Sequence, residues 1–464
     1  MSLPSLQELA GQSLLRNEKL AISALETLPN LLLPQLFKQA YEGGHRNVLK
    51  KIVSSWPFPR LPLGAVKKRN ASESLENAVL EEVDKLLIQS PREYKLEVLD
   101  LRSVGQEPMD VLSGPVDSWL PQTSCEGEKK PLKVAVNLYL RNGNFNKLSC
   151  LSQWAEKRKG LLQLYCHEFH IWLPFLSGCK CYLEYVNLQY IVVLGLHSLH
   201  NPAEFLDLIS YLGHLMNLRK LSISNIQEER VISLEERRHI VSGLASKLLN
   251  LECLQELHLE NASFFKGHLH KLLRSLKTPL DDLAVTHCTI SVPEWNQFSK
   301  LICVSQLQHL SLENVRLASL SPEPLRILLV KAAHTLVDLN LEDCHIKDSY
   351  LYAILPALSR CLQLRTFSFY GNPLSMGALK RLLRSTANLE NLYRELYPVP
   401  RDCYVDNGTL HMELTRNHCN ELIGILKTFW RSERIYFGTD RCHRCNNRYI
   451  YNKTSMCRCR RFIG

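Results

Sequence analysis

The sequence has no stretch of about 18 uncharged apolar residues, which is the length that a helix needs to cross a membrane. No Lys or Arg precedes the first leucine-rich stretch, and Glu8 and Arg16 interrupt it. A secretory signal combines a basic start with an unbroken apolar core. We therefore expect neither a membrane protein nor a secreted protein, and we expect a cytoplasmic or nuclear location.

Sequence motifs of common catalytic and nucleotide-binding sites are also missing. The chain has no glycine-rich phosphate loop, no H-E-x-x-H motif and no G-x-S-x-G motif. Its 17 histidines are scattered, and the pair Cys166-His167 fits a core strand better than a nucleophile with its base. We therefore predict that the protein is not an enzyme.

The composition is that of a folded chain with many cysteines. Of its residues, 45% are apolar and 22% are charged. The length of 464 residues is enough for two or three domains or one elongated repeat array. The net charge of +10 permits an acidic partner without demonstrating one. Without an export signal, the 16 cysteines indicate reduced thiols rather than disulfides. Several fall at core-like positions of a repeat, namely Cys253, Cys288, Cys303, Cys344 and Cys361.

The middle of the chain repeats the apolar pattern L-x-x-L-x-L, which is the pattern of leucine-rich repeats. Six copies begin 26 to 36 residues apart, at Leu218, Leu254, Leu280, Leu307, Leu336 and Leu364. Each L-x-L predicts a short parallel strand with inward leucines, and the rest of each repeat has room for a helix. We predict an α/β fold: a leucine-rich repeat horseshoe solenoid with parallel strands on the concave face, helices on the convex face and an N-terminal helical cap.

Sequence changes along the chain indicate five regions. Residues 1–55 are predicted as an N-terminal helical region, and 56–94 as a linker or strap followed by a helix. Residues 95–200 contain degenerate repeats, 201–400 the regular repeats, and 401–464 a C-terminal cap with a Cys-rich basic tail. The proline-rich start of the strap is expected to be extended.

The ninth position of the repeat usually carries Asn or Cys, whose side chain bonds the turning backbone. Cys288, Cys344 and Asn372 fit this rule, whereas Asn225, Asn261 and Asn314 come one residue early. Either the turn is tighter in those repeats, or those asparagines face outward.

Residues that alternate with the inward leucines are expected to line the concave face. They are rich in carboxylates although the whole chain is basic, and carboxylates on neighbouring strands reinforce one another. We predict that a protein substrate with a basic segment binds there. The alternative is that these are only solvated strand positions. The predicted substrate-binding residues are His258, Glu260, Thr286, Glu313, Asn340, Glu342 and Tyr370.

The N-terminal leucines fit a helix that starts at a capping box formed by Ser5 and Glu8. Its apolar side chains then form one stripe. The stripe is predicted either to cap the open end of the solenoid or to bind another protein. It comprises Leu6, Leu9, Ala10, Ser13 and Leu14.

Two motifs in this region give the sequence a resemblance to a known family. Leu6-x-x-x-Ala10-x-x-x-Leu14 is similar to a BC-box, the helix that binds Elongin C, with Ala10 in place of the usual Cys. Leu33-Pro34-x-x-Phe37-x-x-x-Tyr41 is similar to a cullin-2 box. In this order, and ahead of leucine-rich repeats, they resemble the PRAME (preferentially expressed antigen in melanoma) family over essentially the whole chain.

The resemblance implies a substrate-recognition subunit of a cullin-2 RING ubiquitin ligase that also contains Elongin B. It implies that Leu6, Leu9, Ala10 and Leu14 contact Elongin C, and that Leu33, Pro34, Phe37 and Tyr41 contact the cullin. It further implies germline or tumour association and, for some members, transcriptional repression. The alternative is a repeat protein that regulates transcription, proliferation or differentiation without recruiting a ligase.

The C-terminal tail combines two cysteine pairs with basic residues. Cys442-x-x-Cys445 and Cys457-x-Cys459 together suit a tetrahedral structural zinc site, and His443 is an alternative ligand. Free thiols or a disulfide are the other interpretations. Seven basic residues accompany them without one acidic residue, which suits a nuclear-import patch or nucleic acid. We do not expect nucleic acid to be the main partner.

Overall fold

The computed structural model describes residues 5–66, 73–89, 95–102, 131–141, 145–172, 186–198, 202–226, 234–405, 409–429, 434–442, 444–451 and 462–463. The chain divides into two compact units. Unit 1 comprises Met1–His170 and Phe175–Ile191, and unit 2 comprises Ile171–Pro174 and Val192–Gly464. Across the described ranges, every helix is too short or too polar to cross a membrane.

Unit 1 combines helices with parallel strands in the order β1-β2-β3-β4. The first strand lies inside the proline-rich segment that was predicted as a linker or strap, and it pairs with β2 through Arg60 and Val98. The helices are α1 (Leu6–Leu15), α2 (Glu18–Ala24), α3 (Leu33–Glu42), α4 (Arg46–Ser54), α5 (Leu63–Val66), α6 (Glu73–Gln89) and α7 (Phe145–Lys157). The strands are β1 (Arg60–Leu61), β2 (Val98–Asp100), β3 (Leu132–Leu140) and β4 (Leu162–Trp172).

Unit 2 confirms the predicted α/β leucine-rich repeat solenoid. Its strands run parallel in the order β5 to β12 and then β14, and each helix packs against the next one along the chain. The helices are α8 (Pro202–Leu212), α9 (Leu234–Leu248), α10 (Leu269–Arg274), α11 (Val292–Phe298), α12 (Glu323–Lys331), α13 (Asp348–Leu358), α14 (Met376–Ser385) and α15 (Met412–Thr428). The strands are β5 (Val193–His197), β6 (Lys220–Ser224), β7 (Glu256–Glu260), β8 (Asp282–Thr286), β9 (His309–Ser311), β10 (Asp338–Asn340), β11 (Thr366–Ser368), β12 (Arg394–Pro398), β13 (Leu410–His411), β14 (Ile435–Gly438) and β15 (Phe462–Ile463).

The repeat leucines form the core of unit 2, as the pattern predicts. Leu257, Leu283, Leu310 and Leu339 are in register on neighbouring strands, and all four are buried. Burying one such side chain contributes roughly 1.5–3 kcal/mol, so the column of leucines is a major source of stability. An earlier copy of the pattern, beginning at Ile191, forms β5.

The eighth position of each repeat adopts a left-handed backbone conformation. Asn, Asp and Gly tolerate this region best, which explains the asparagines that come one residue early. Two eighth-position residues of neighbouring repeats are also hydrogen-bonded to each other, because Asn261 Nδ2 donates to Asn225 Oδ1 at 3.1 Å. The eighth-position residues with positive φ are Ser198, Asn225, Asn261, His287, Asn314, Asp343 and Gly371.

The ninth position bonds the turning backbone, as predicted. Cys288 Sγ donates to the Thr286 carbonyl at 3.2 Å, and Cys344 Sγ donates to the Leu312 carbonyl at 3.1 Å. Burial raises the pKa of both thiols, so they remain protonated donors. The five cysteines predicted for the core are buried except Cys253, which is exposed.

Glu294 in α11 joins two neighbouring repeats. Its buried carboxylate accepts from the backbone N–H of Gly267 at 3.1 Å and of Leu269 at 2.8 Å, at the start of α10. The same carboxylate accepts from the N–H of Ser291 at 2.9 Å and from its hydroxyl at 2.6 Å, at the start of α11. One side chain therefore satisfies donors at the first turns of two helices.

Candidate functional site

The predicted capping box at the N-terminus is present. Glu8 N–H donates to Ser5 Oγ at 3.2 Å, and Ser5 N–H donates to Glu8 Oε2 at 2.7 Å. These bonds fix the first turn of α1, on which the predicted Elongin-binding stripe begins.

The stripe on α1 is largely uncovered in unit 1. Leu6 is 85% exposed and Leu9 47% exposed, while Ala10 is exposed and Leu14 is half-buried. Ala10 and Leu14 line a cavity of about 120 Å³, which we call the α1 groove. The groove is completed by Gln7, Gly11, Leu28, Leu32, Gln35, Leu36 and Gln39.

Gln39 holds α1 against α3 at the base of this groove. Its Nε2 donates to the Glu8 carbonyl at 2.9 Å, while its Oε1 is buried and accepts no hydrogen bond from the described residues. A Cβ on Gly11 would lie 1.9 Å from Gln39 Oε1, so the glycine lets α1 pack closely on the Gln39 side chain in this position. The α1 groove therefore offers a largely apolar wall that includes Ala10, Leu14, Leu28 and Leu36.

The four predicted cullin-binding residues lie in the core of unit 1, not on its surface. Leu33, Pro34, Phe37 and Tyr41 are buried. The Phe37 ring lies 6.4 Å from the Tyr41 ring and 5.5 Å from the Trp56 ring, measured between centroids. The apolar spacing in α3 thus forms a packed helix face, and the prediction that these side chains contact a cullin directly conflicts with their burial.

In unit 2 the predicted substrate-binding residues lie on one face of the sheet, opposite the leucine core. Because strand side chains alternate between faces, three rows of aligned residues form this polar face. The first row is Lys220, Glu256, Asp282, His309, Asp338 and Thr366; the second is Ser222, His258, Ala284, Ser311, Asn340 and Ser368. The third row is Ser224, Glu260 and Thr286, continued by Glu313, Glu342 and Tyr370.

Carboxylates in the first row lie close to Lys and His side chains on neighbouring strands. Lys220 Nζ lies 2.7 Å from Glu256 Oε2, and His258 Nε2 lies 3.0 Å from Asp282 Oδ2. His309 Nδ1 lies 2.5 Å from Asp338 Oδ2. Ligand atoms of Glu256, His258 and Asp282 lie within 4.8 Å of one another, and Glu256 already accepts from Lys220. We assign no metal to this cluster.

A second acidic cluster binds arginines from the chain's own C-terminal region. Glu313, Glu342 and Asp343 present carboxylate oxygens within 4.8 Å of one another. Arg441 donates to Asp343 at 2.9 Å and to Glu313 at 2.6 Å, and Arg448 donates to Asp343 at 2.6 Å. Burial would raise the pKa of Asp343, but hydrogen bonds from Arg448 and Arg441 outweigh burial and lower it. The ion pairs therefore stabilise at neutral pH and are lost only as the pH falls through that lowered pKa.

The arginines belong to a turn that we call the C-terminal hairpin, comprising residues 437–442 and 444–451. Thr439 N–H donates to the Tyr449 carbonyl at 3.0 Å, and Tyr451 N–H donates to the Phe437 carbonyl at 2.8 Å. This contact was not predicted from the sequence, although an acidic strip and a basic tail in one chain are complementary.

Tyr370 was predicted as an exposed substrate contact, but the C-terminal hairpin covers it. Its side chain is buried, and a Cβ on Gly438 would lie 2.7 Å from the Tyr370 ring. The Arg448 guanidinium lies 5.3 Å from the ring centroid. Burial raises the pKa of the Tyr370 hydroxyl, which accepts no hydrogen bond from the described residues. Glu260 is exposed, and the other five predicted residues are half-buried.

Two of the four predicted zinc ligands lie at the tip of the C-terminal hairpin. Cys442 N–H donates to the Asn447 carbonyl at 2.9 Å, Asn446 N–H donates to the Cys442 carbonyl at 2.8 Å, and Asn446 has a left-handed backbone. Cys442 is buried and Cys445 half-buried. Cys457 and Cys459 lie outside the described residues, so the zinc site stays a prediction.

Comparison with known proteins gives matches over most of the chain. Residues 3–108 match the PRAME N-terminal domain, and residues 132–460 match the PRAME C-terminal domain. PRAME family member 20 of Homo sapiens is 39% identical over 471 residues, covering 98% of this chain and 99% of that protein. Preferentially expressed antigen in melanoma-like protein 1 of Mus musculus is 36% identical, covering 94% and 96%. Among solved structures, an internalin from Listeria monocytogenes aligns over 75% of this chain and 82% of that chain, with 16% identity and a TM-score of 0.33.

Proposed function

The chain belongs to the PRAME family, and from that premise we propose that it is a non-catalytic adaptor, the substrate-recognition subunit of a cullin-2 RING ubiquitin ligase. In this proposal α1 binds Elongin C, which brings Elongin B and cullin-2, and the polar face of unit 2 holds a protein target. The observation that carries the proposal is the exposed leucine stripe of α1 beside the α1 groove. The site of action is the cytoplasm, the nucleus or both.

The Elongin contact fits the chemistry of α1. Leu6 and Leu9 present apolar surface that a monomer would be expected to bury, and Ala10 is small enough for a partner helix to approach closely. Apolar side chains at the centre of a contact surface are typical of a binding hot spot.

The cullin contact needs side chains other than the four buried ones. Leu33, Pro34, Phe37 and Tyr41 support α3 from within the core. Leu31, which is 70% exposed and lies just before α3, is an apolar side chain of this segment that a partner can reach. We therefore propose that the cullin-box pattern acts by positioning this segment.

The Elongin contact is tested by replacing Leu6 and Ala10 together with aspartate and measuring capture of purified Elongin B–Elongin C. We expect affinity to fall at least about 30-fold, as for loss of an interface hot spot. The helix should persist, because Leu6 is in the first turn, where an acidic residue favours the helix dipole, and because Ala10 is exposed. Ile302→Asp with Leu362→Asp is the matched control, since both residues are exposed apolar positions of unit 2.

Two results would contradict the ligase proposal: failure of the wild-type chain to capture Elongin C, or equal capture by both double variants. A regulatory protein that acts without a ligase would then be the better account.

We also propose that Cys442, Cys445, Cys457 and Cys459 hold one structural zinc ion. The tight turn that places Cys442 and Cys445 on one reversal of the chain supports this. Elemental analysis of purified protein should find about one zinc per chain, lost in Cys442→Ser with Cys445→Ser and kept in the exposed-thiol control Cys253→Ser. Wild-type protein without zinc, when purified in zinc-containing buffer, would rule the site out.

A further inference from the structure

We propose that the second acidic cluster of the polar face is a binding site for a pair of arginines on a target protein, and that the C-terminal hairpin is its intramolecular competitor. This rests on the proposed role of the polar face in holding a target. The site comprises Glu313, Glu342, Asp343 and the ring of Tyr370. In the structure Arg441 and Arg448 occupy it.

The hairpin shows which ligand chemistry the site accepts. The Arg441 guanidinium contacts two carboxylates at once, with Nε 2.9 Å from Asp343 Oδ2 and Nη2 2.6 Å from Glu313 Oε1. Arg448 pairs with Asp343 through one nitrogen and donates to the Thr439 carbonyl through another, at 2.9 Å. It also lies over the Tyr370 ring. A planar fork of donors makes this set of contacts, whereas the single ammonium of lysine does not.

The cluster requires cations from some source. Three carboxylates within 4.8 Å repel one another, and Glu342 and Asp343 are largely withdrawn from water. Ser368 Oγ donates to Glu342 at 2.5 Å and Asn340 Nδ2 donates to Glu313 at 3.3 Å, but these neutral donors leave the charge uncompensated. Leaving these partly buried carboxylates without a counter-charge would lower the stability of the folded state. Release of the hairpin is therefore best coupled to arrival of another arginine-bearing segment.

The hairpin is also built so that it can be exchanged. Arg441 remains 37% exposed, so an incoming segment can reach it. Underneath, the Tyr370 hydroxyl is buried without a partner among the described residues, which shows that the hairpin satisfies the site incompletely. Beyond the hairpin, exposed Glu260 and the paired carboxylates Asp282 and Asp338 continue the polar face toward β7. A longer basic segment would gain contacts there that the hairpin does not make.

The competition can be measured with a fluorescein-labelled peptide that copies residues 441–451 with serine in place of both cysteines. We expect this peptide to bind Arg441→Gln with Arg448→Gln at least about tenfold more tightly than it binds wild-type full-length protein, because the site is then vacant. Arg444→Gln is the matched control, since Arg444 is an exposed basic residue of the same turn. It should bind the peptide as weakly as wild type does.

Two further comparisons test the chemistry of the site. Adding Glu342→Gln and Asp343→Asn to the vacant variant should abolish peptide binding. A peptide with lysine in place of Arg441 and Arg448 should bind at least about tenfold more weakly. If vacating the site unfolds the chain, Arg441→Lys with Arg448→Lys keeps the charges and should still bind the arginine peptide about threefold more tightly than wild type.

Equal peptide affinity in wild type, the vacant variant and Arg444→Gln would overturn the inference, as would absence of binding to a folded vacant variant. Elongin capture is measured on the same samples. If wild-type protein does not capture Elongin C, only the ligase proposal is contradicted. If Elongin C is captured but the peptide result is negative, only the proposal that the C-terminal hairpin is a competitor is contradicted.

Discussion

Replacing Glu294 with alanine is expected to lower the free energy of unfolding by about 4 kcal/mol. The carboxylate accepts four hydrogen bonds, from two backbone donors at the start of α10 and from the N–H and hydroxyl of Ser291. Each buried donor left without an acceptor costs about 1–3 kcal/mol, and few waters can reach a side chain that is 3% exposed. Urea unfolding followed by far-UV circular dichroism measures the loss.

Two further variants separate the hydrogen bonds of Glu294 from its charge. Glu294→Gln keeps one carbonyl acceptor and should lose roughly half as much stability. Glu323→Ala removes a carboxylate that is exposed at the start of α12 and paired only with Arg326 among the described residues, so the unfolding curve should not move. If Glu294→Ala unfolds at the same urea concentration as wild type, the carboxylate does not stabilise these two helices.

Asn372→Ala is expected to cost about 3 kcal/mol in the same measurement. This buried side chain donates to the carbonyls of Leu341 at 2.8 Å and Phe369 at 2.9 Å, and accepts from Ile346 N–H at 2.9 Å. Alanine would leave these three backbone groups without a partner in the interior.

A neighbouring repeat carries a different residue at the position of Asn372 and so suggests a conservative substitution. Cys344 occupies the equivalent position one repeat earlier and donates to the Leu312 and Glu342 carbonyls, the counterparts of the Leu341 and Tyr370 carbonyls near Asn372, so Asn372→Cys should cost only about 1 kcal/mol. Asn391→Ala is the control, because Asn391 is exposed and donates one hydrogen bond, to the Leu362 carbonyl at 2.9 Å. A loss for Asn372→Cys as large as that for Asn372→Ala would show that thiol and amide are not interchangeable at the ninth position.

The sequence predicted the features of the fold that depend on local pattern. The L-x-x-L-x-L spacing identified strands β6 to β11, because strand periodicity and repeat length are encoded within each unit. The role of the early asparagines followed from backbone conformation, which one sequence does not show. Asn225, Asn261 and Asn314 are there because the turn needs a left-handed residue.

The sites were harder to predict because they depend on contacts between distant segments. The sequence of a leucine-rich helix shows that one face is apolar, but it does not show whether another element covers that face. Leu6 is exposed, whereas Phe37 is buried. The arginines of the C-terminal hairpin meet their carboxylates from 98 to 128 residues away along the chain. Nothing periodic marks such a contact, and only the opposite charges of the two segments could have suggested it.

The C-terminal hairpin also changes how the repeat array can come apart. A linear array normally frays from its end, one unit at a time, since the last unit has a single neighbour. Here an ion pair joins Arg441, which follows β14, to Glu313, which follows β9. It therefore links the two ends of the segment that contains the last repeats. While the two arginine guanidinium groups keep their ion pairs, we expect these repeats to unfold cooperatively rather than one at a time. A partner that replaced those groups would therefore alter the local cooperativity of the last repeats as well as occupy a surface.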